Sequence, residues 1–111
     1  MSDYDLYQEL QSKTVELDKC IRSLRVNGTK YAEAERQYKI LLRQHCLMLR
    51  DEGMPVTLID KVCYGIQEVA DARFNRDVAE SVYDANKEAI QSIKLQMRLI
   101  ESQLQREWGH S

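Results

Sequence analysis

Residues 74–108 read FNRDVAESVYDANKEAIQSIKLQMRLIESQLQREW, a stretch with no proline and no glycine. Ala79, Tyr83, Ile90, Ile93, Met97, Ile100 and Leu104 recur along it at three- and four-residue steps, with Asn86 in the one polar slot. Such spacing gathers the apolar side chains on one face of an α-helix, and its seven-residue repeat is that of coiled coils and long bundles. This stretch decides the class: an all-α protein with one long C-terminal helix.

Working outward, the spacing predicts a single helical domain over residues 1–111, with helices at about 3–26, 29–52, 57–64 and 67–108. Leu10, Leu17 and Leu24 lie seven apart, flanked by Leu6, Cys20 and Ile21. Asn27-Gly28 then offers the left-handed turn that ends a helix, and Thr29 can cap the next. Tyr31, Ala34, Tyr38, Leu41, Leu42, Met48 and Leu49 form the second apolar face. Gly53 and Pro55 close that helix. Thr57 with Asp60 resembles a capping box for the short third helix, and Gly65 separates it from the fourth. Residues 1–3 and 109–111 are expected to fray.

Lengths then suggest self-association. At ~1.5 Å per residue, the first two helices span about 35 Å each and the last about 60 Å. A helical hairpin plus a short helix covers little more than half of the long one, so a coiled-coil-like bundle is expected to be completed by oligomerisation. The expected self-association surface is Ile93, Met97, Ile100, Leu104 and Trp108, in a homo-oligomer for which a dimer is the simplest form. Asn86 is the candidate register residue, since a lone Asn in such a seam costs stability while fixing alignment or partner number. The alternative is a hydrated Asn86 near the end of the bundle.

Composition narrows the function. Hydrophobic residues make up 43% and charged residues 31%, enough for a core and for wet helix faces, and the formal net charge is −2. That balance argues against a dedicated nucleic-acid binder, which carries a clear basic excess. The N-terminus MSDYDLYQEL lacks the apolar run of a signal peptide, and no stretch is apolar enough to span a membrane. Cys20, Cys46 and Cys63 form no CxxC and leave an odd number, which fits reduced thiols in a cytoplasm.

Chemistry-bearing patterns are sparse. His45 and Cys46 are adjacent and point about 100° apart on a helix, so they do not chelate one ion together. No metal-ligand spacing, nucleophile elbow or phosphate-cradling glycine loop is present. We therefore expect no metal, no cofactor and no enzyme. His45 falls in line with Tyr38 and is expected to make a buried or interfacial hydrogen bond, and His110 lies in the expected tail. Arg36, Arg43 and Arg50 recur every seven residues with Lys39 beside them, forming a possible anion or nucleic-acid ridge. Lys87, Lys94 and Arg98, and Lys19, Arg22 and Arg25, form two further groups. Pairing with neighbouring acids is the ordinary use of such flanking positions and is the favoured reading. A helix-turn-helix over Gly65 is disfavoured, because Glu68 and Asp71 would sit where phosphates approach.

The segments KYAEAERQYKILL, LRDEGMPVTLIDKV and DVAESVYDANKEAIQSIKLQMRLIESQLQREWG, spanning roughly Tyr31 to Trp108, resemble a set of small helical proteins from phages and prophages of Gram-positive bacteria. The resemblance implies a phage product working inside a bacterial cell and carries no activity or functional residues. Together these readings suggest an accessory protein that binds other proteins as a homo-oligomer, including a host or defence protein inhibited by occlusion. Its exposed ridges or the Gly53–Gly65 corner would make the contact, with no membrane involved. The alternatives are a nucleic-acid-handling accessory in phage replication or recombination, and a sponge for a nucleotide ligand.

Overall fold

A computed structural model describes residues 2–109; His110 and the outer part of the expected tail lie outside the described residues. The chain is all-helical, with the order α1 (Asp3–Asp51), α2 (Val56–Cys63) and α3 (Gln67–Trp108). Among the described residues there is no strand, and no helix is long and apolar enough to cross a membrane.

The expected break at Asn27-Gly28 does not occur. α1 runs without interruption through both residues, and Gly53 alone among the glycines has a positive φ, at 89°. The reason lies in the seam. Leu24, Asn27, Tyr31, Ala34 and Tyr38 keep the three-four spacing across the dipeptide, so a turn would throw every later apolar residue off the buried face. A glycine inside a helix costs only ~1 kcal/mol, less than the packing it would otherwise disrupt. Gly28 has a steric role instead: a Cβ placed on it would lie 3.2 Å from Cε1 of Tyr83. Tyr83 occupies the space that a side chain would need.

The termini of α1 follow local rules. Ser2 caps the start, its Oγ accepting from the Asp5 N–H at 3.2 Å and donating to the Asp5 carboxylate at 2.9 Å. Asp3 is therefore inside the helix, not in a frayed end. At the other terminus Gly53 N–H donates to the Arg50 carbonyl and Met54 N–H to the Leu49 carbonyl. This paired return, with glycine in the left-handed conformation, is a Schellman stop. Pro55 then precedes α2 with an extended ψ of 136° and no side-chain cap, so the Thr57 capping box does not form and Thr57 lies within the helix.

Two compact units emerge. The first joins the segment up to Val26 with the segment from Asp84 onward; the second is Asn27–Tyr83. In the first, Leu6 packs with Ile100 and Leu104, supported by Leu10, while Ile90 and Ile93 are also buried. Further along, Asn86 Nδ2 donates to the Cys20 carbonyl at 2.9 Å. Rising numbers on α1 thus meet falling numbers on α3, an antiparallel pair. In the second unit Tyr38, Cys63, Val69 and Ala72 form the core, flanked by Leu41, Leu42, Cys46, Leu49 and Ile66. Tyr31 and Tyr83 meet there with ring centroids 6.1 Å apart.

This pairing removes the expected overhang. Because α1 is not folded at residue 28, its first half lies along the last part of α3 and covers the stripe assigned to self-association. Ile93, Ile100 and Leu104 are buried inside the chain and Met97 is half-buried; only Trp108 is exposed, at 59%.

Candidate functional site

With the long stripe satisfied internally, the uncovered apolar surface lies elsewhere. α2 is only eight residues long and turns Ile59 and Cys63 inward. Its sequence VTLIDKVC is too apolar for one buried face to absorb, so Val56, Leu58 and Val62 remain outside, Val56 at 72% exposure. Tyr64, just after the helix, is exposed as well, with the Arg73 guanidinium over its ring at 5.7 Å. Leu47 and Met48, in the last turns of α1, add to the exposed apolar residues at this end of the second unit. Isolated exposed aliphatics are ordinary, and others lie along α1 and α3, but six exposed apolar or aromatic side chains fall between Leu47 and Tyr64.

The same unit contains several polar pairs between helices. His45 Nε2 lies 2.7 Å from the Glu68 carboxylate, linking α1 to the first turn of α3. Arg76 covers the Tyr38 ring at 4.6 Å and is itself held by Asp77, at 2.8 Å from Nη2. The Cys46 thiol donates to Cys63 Sγ at 3.2 Å, and the Cys63 thiol donates to the Leu42 carbonyl at 3.5 Å. Burial, assisted by the Cys46 thiol and the Asp60 carboxylate, pushes the Cys63 thiol up to about 11. All three cysteines are free.

One side of this unit carries a groove of about 480 Å³ between α1 and α3, floored by Ala34, Leu41 and Ala72 and rimmed by Lys30, Glu33, Glu68 and Asp71. A smaller hollow of about 250 Å³ continues it past Lys30 and Asn75 to Val78 and Val82. No group of three or more His, Cys, Asp and Glu side chains is gathered for a metal among the described residues.

The basic ridge is exposed along α1. Arg36, Lys39 and Arg43 share a shallow depression of about 420 Å³ with Ala32, Glu35 and Ile40; Arg50 lies outside it. Lys39 pairs with Glu35 at 3.6 Å. Arg36, Arg43 and Arg50 form no ion pair among the described residues, so the acid pairing favoured from the sequence holds for the lysine and not for the arginines. On α3, Lys87 pairs with Asp84 at 3.2 Å. Asn86, the candidate register residue, is half-buried and bonded to α1 of its own chain, so the alignment it fixes is between α1 and α3.

Comparisons with family models, with curated proteins and with solved structures each find none that matches this chain. The resemblance to phage and prophage proteins therefore rests on the sequence segments alone.

Sequence reasoning named the Gly53–Gly65 corner without its residues and missed the thiol pair and the Arg76–Tyr38 contact. The signal for the long α1 was present in the seven-residue step from Leu24 to Tyr31. The thiol pair had no local signal, since Cys46 and Cys63 come from different helices.

Proposed function

We propose that this chain is a non-enzymatic binding protein that docks on a partner protein through the corner formed by α2 and the last turns of α1. The observation that carries this reading is the exposure of Val56, Leu58 and Val62 on a short helix and of Tyr64 just after it. Binding energy in protein interfaces concentrates in a few apolar and aromatic side chains that lose water completely, and this corner supplies them without competing internal use. The sequence resemblance sets the scene as a phage accessory acting inside a bacterial cell, with a host or defence protein as the partner. Homo-oligomerisation, expected from an uncovered stripe, now draws its support from the same corner and from Trp108.

The test is affinity purification of the tagged chain from bacterial lysate, with and without nuclease and across a salt series. A protein recovered in stoichiometric amount after nuclease treatment and at raised salt supports the reading. Light scattering on the purified chain decides whether a second copy is among the partners.

Arg36, Arg43 and Arg50, without an ion pair among the described residues, favour a second reading, in which the α1 ridge holds nucleic-acid phosphates beside the exposed Ile40. Such binding weakens steeply with salt because condensed counterions are released on association. Binding of DNA at low salt that is lost on changing Arg36 and Arg43 to Glu would establish it, and no binding at low salt would remove it.

A further inference from the structure

Cys46 and Cys63 are seventeen positions apart, on α1 and α2, yet their sulfurs lie 3.2 Å from each other. Cys63 is fully buried, whereas Cys46 is half-buried and reaches solvent. A disulfide has a sulfur separation of about 2.05 Å, so the two atoms need approach by only ~1.2 Å. Cys20, the third thiol, belongs to the other compact unit. The arrangement is that of an accessible thiol with a resolving thiol behind it.

We propose that Cys46 and Cys63 form an internal, reversible disulfide when the chain meets a hydroperoxide. The Cys46 thiolate attacks one peroxide oxygen, the O–O bond breaks, and Cys46 becomes a sulfenic acid with release of hydroxide. The Cys63 sulfur then attacks the sulfenic sulfur, forming the S–S bond and expelling a second hydroxide. The protons lost by the two thiols convert both hydroxides to water. In net, two thiols give up two electrons and hydrogen peroxide is reduced to two waters. A small-molecule thiol reverses the bond by exchange.

The placement favours this outcome over deeper oxidation. Cys63 lies at hydrogen-bond distance when the sulfenic acid forms, so the second step is intramolecular. Its burial keeps the oxidant from reaching it first, because reactivity follows access as well as thiolate character. The product ties α2 to α1 directly beneath the exposed corner. In a reducing compartment such a bond is transient and sensing, not structural.

The experiment treats the full reduced chain with hydrogen peroxide, blocks remaining thiols with N-ethylmaleimide in denaturant, and maps tryptic peptides by mass. Expected is a linkage between peptides 44–50 and 62–73, with Cys20 alone alkylated. That linkage should persist in Cys20→Ser, vanish in Cys46→Ser, and disappear on adding dithiothreitol. Its rate should fall by about tenfold or more when the chain is oxidised in denaturant, because unfolding separates the sulfurs. A reversible upward shift in thermal midpoint on oxidation, absent from Cys46→Ser, gives a second readout. Three alkylated thiols after peroxide, sulfinic or sulfonic acid on Cys46 without linkage, or a linkage to Cys20 would each overturn the proposal.

Discussion

The two compact units solve the same problem, an antiparallel pairing of α1 with α3, using different side chains. The first relies on aliphatic residues, Leu6, Ile90, Ile93, Ile100 and Leu104, with one amide at Asn86. The second fills its seam with Tyr31, Tyr38, Arg76, Tyr83, the His45–Glu68 pair and the two thiols, and adds α2. An aliphatic seam is stable and has little chemistry to offer. The mixed seam fixes orientation through directed contacts and lies beside an exposed apolar corner. Under the function proposed above, docking falls to the corner of the second unit, while the first unit supplies an aliphatic core.

The largest expected effect breaks the aliphatic side of this comparison. Leu6→Ala removes a side chain that is 2% exposed from the Ile100–Leu104 cluster and should cost ~2–4 kcal/mol in urea unfolding. Leu47→Ala, at a half-exposed position near the corner, should cost well under half of that.

Alkaline pH should act on the mixed seam. The Cys63 thiol is raised to about 11 by burial from an ordinary value of 9.0. Unfolding therefore releases its proton at lower pH than the folded chain does. Its contribution is complete below pH 9 and is lost as pH rises through about 11, up to ~2 kcal/mol by linkage. Comparing the pH dependence of unfolding for the wild type and Cys63→Ala isolates this effect from tyrosine and lysine titration, and the two curves should diverge between those values.

A smaller effect tests the close approach of Tyr83 to Gly28. Gly28→Val presses two methyl groups toward the Tyr83 ring and should destabilise by ~1–2 kcal/mol. Gly28→Ala should be near neutral, because improved helix propensity offsets the 3.2 Å approach. Were Gly28 instead the left-handed turn residue suggested by its neighbour Asn27, both substitutions would be strongly destabilising.

The smallest change should be a gain. Asn86→Leu replaces the amide in the aliphatic seam, and the Cys20 carbonyl it leaves keeps its place in the α1 backbone ladder. Thermal unfolding should shift upward by the equivalent of ~0.5–1 kcal/mol, while alternative alignments of α1 on α3 become less costly.

These contrasts also show what the sequence made legible. The class, the limits of α3 and the stop at Gly53 follow from periodicity and from local turn chemistry, which act over a few residues. The continuity of α1 was misjudged because Asn27-Gly28 carries the local signature of a helix end, while the evidence against it is tertiary. Tyr83 lies in another helix, and its ring fits Gly28 only once the two are packed. The same reason hid the sulfur pair and the arginine over Tyr38. It also misdirected the self-association stripe, since residues 93–104 look uncovered only if α1 is broken. Corner exposure, by contrast, was partly legible: an eight-residue helix as apolar as VTLIDKVC cannot bury all of its surface.

The proposal that docking belongs to the corner and not to the aliphatic unit is tested most directly by partner recovery with two matched surface variants. Val56→Glu/Leu58→Glu alters the corner, and Leu95→Glu/Leu99→Glu alters exposed positions on the aliphatic unit. Both should keep the wild-type thermal midpoint within a few degrees. We predict that the corner variant loses its partner in affinity purification and that the Leu95/Leu99 variant retains it. Retention by the corner variant, together with loss by the other, would contradict the account.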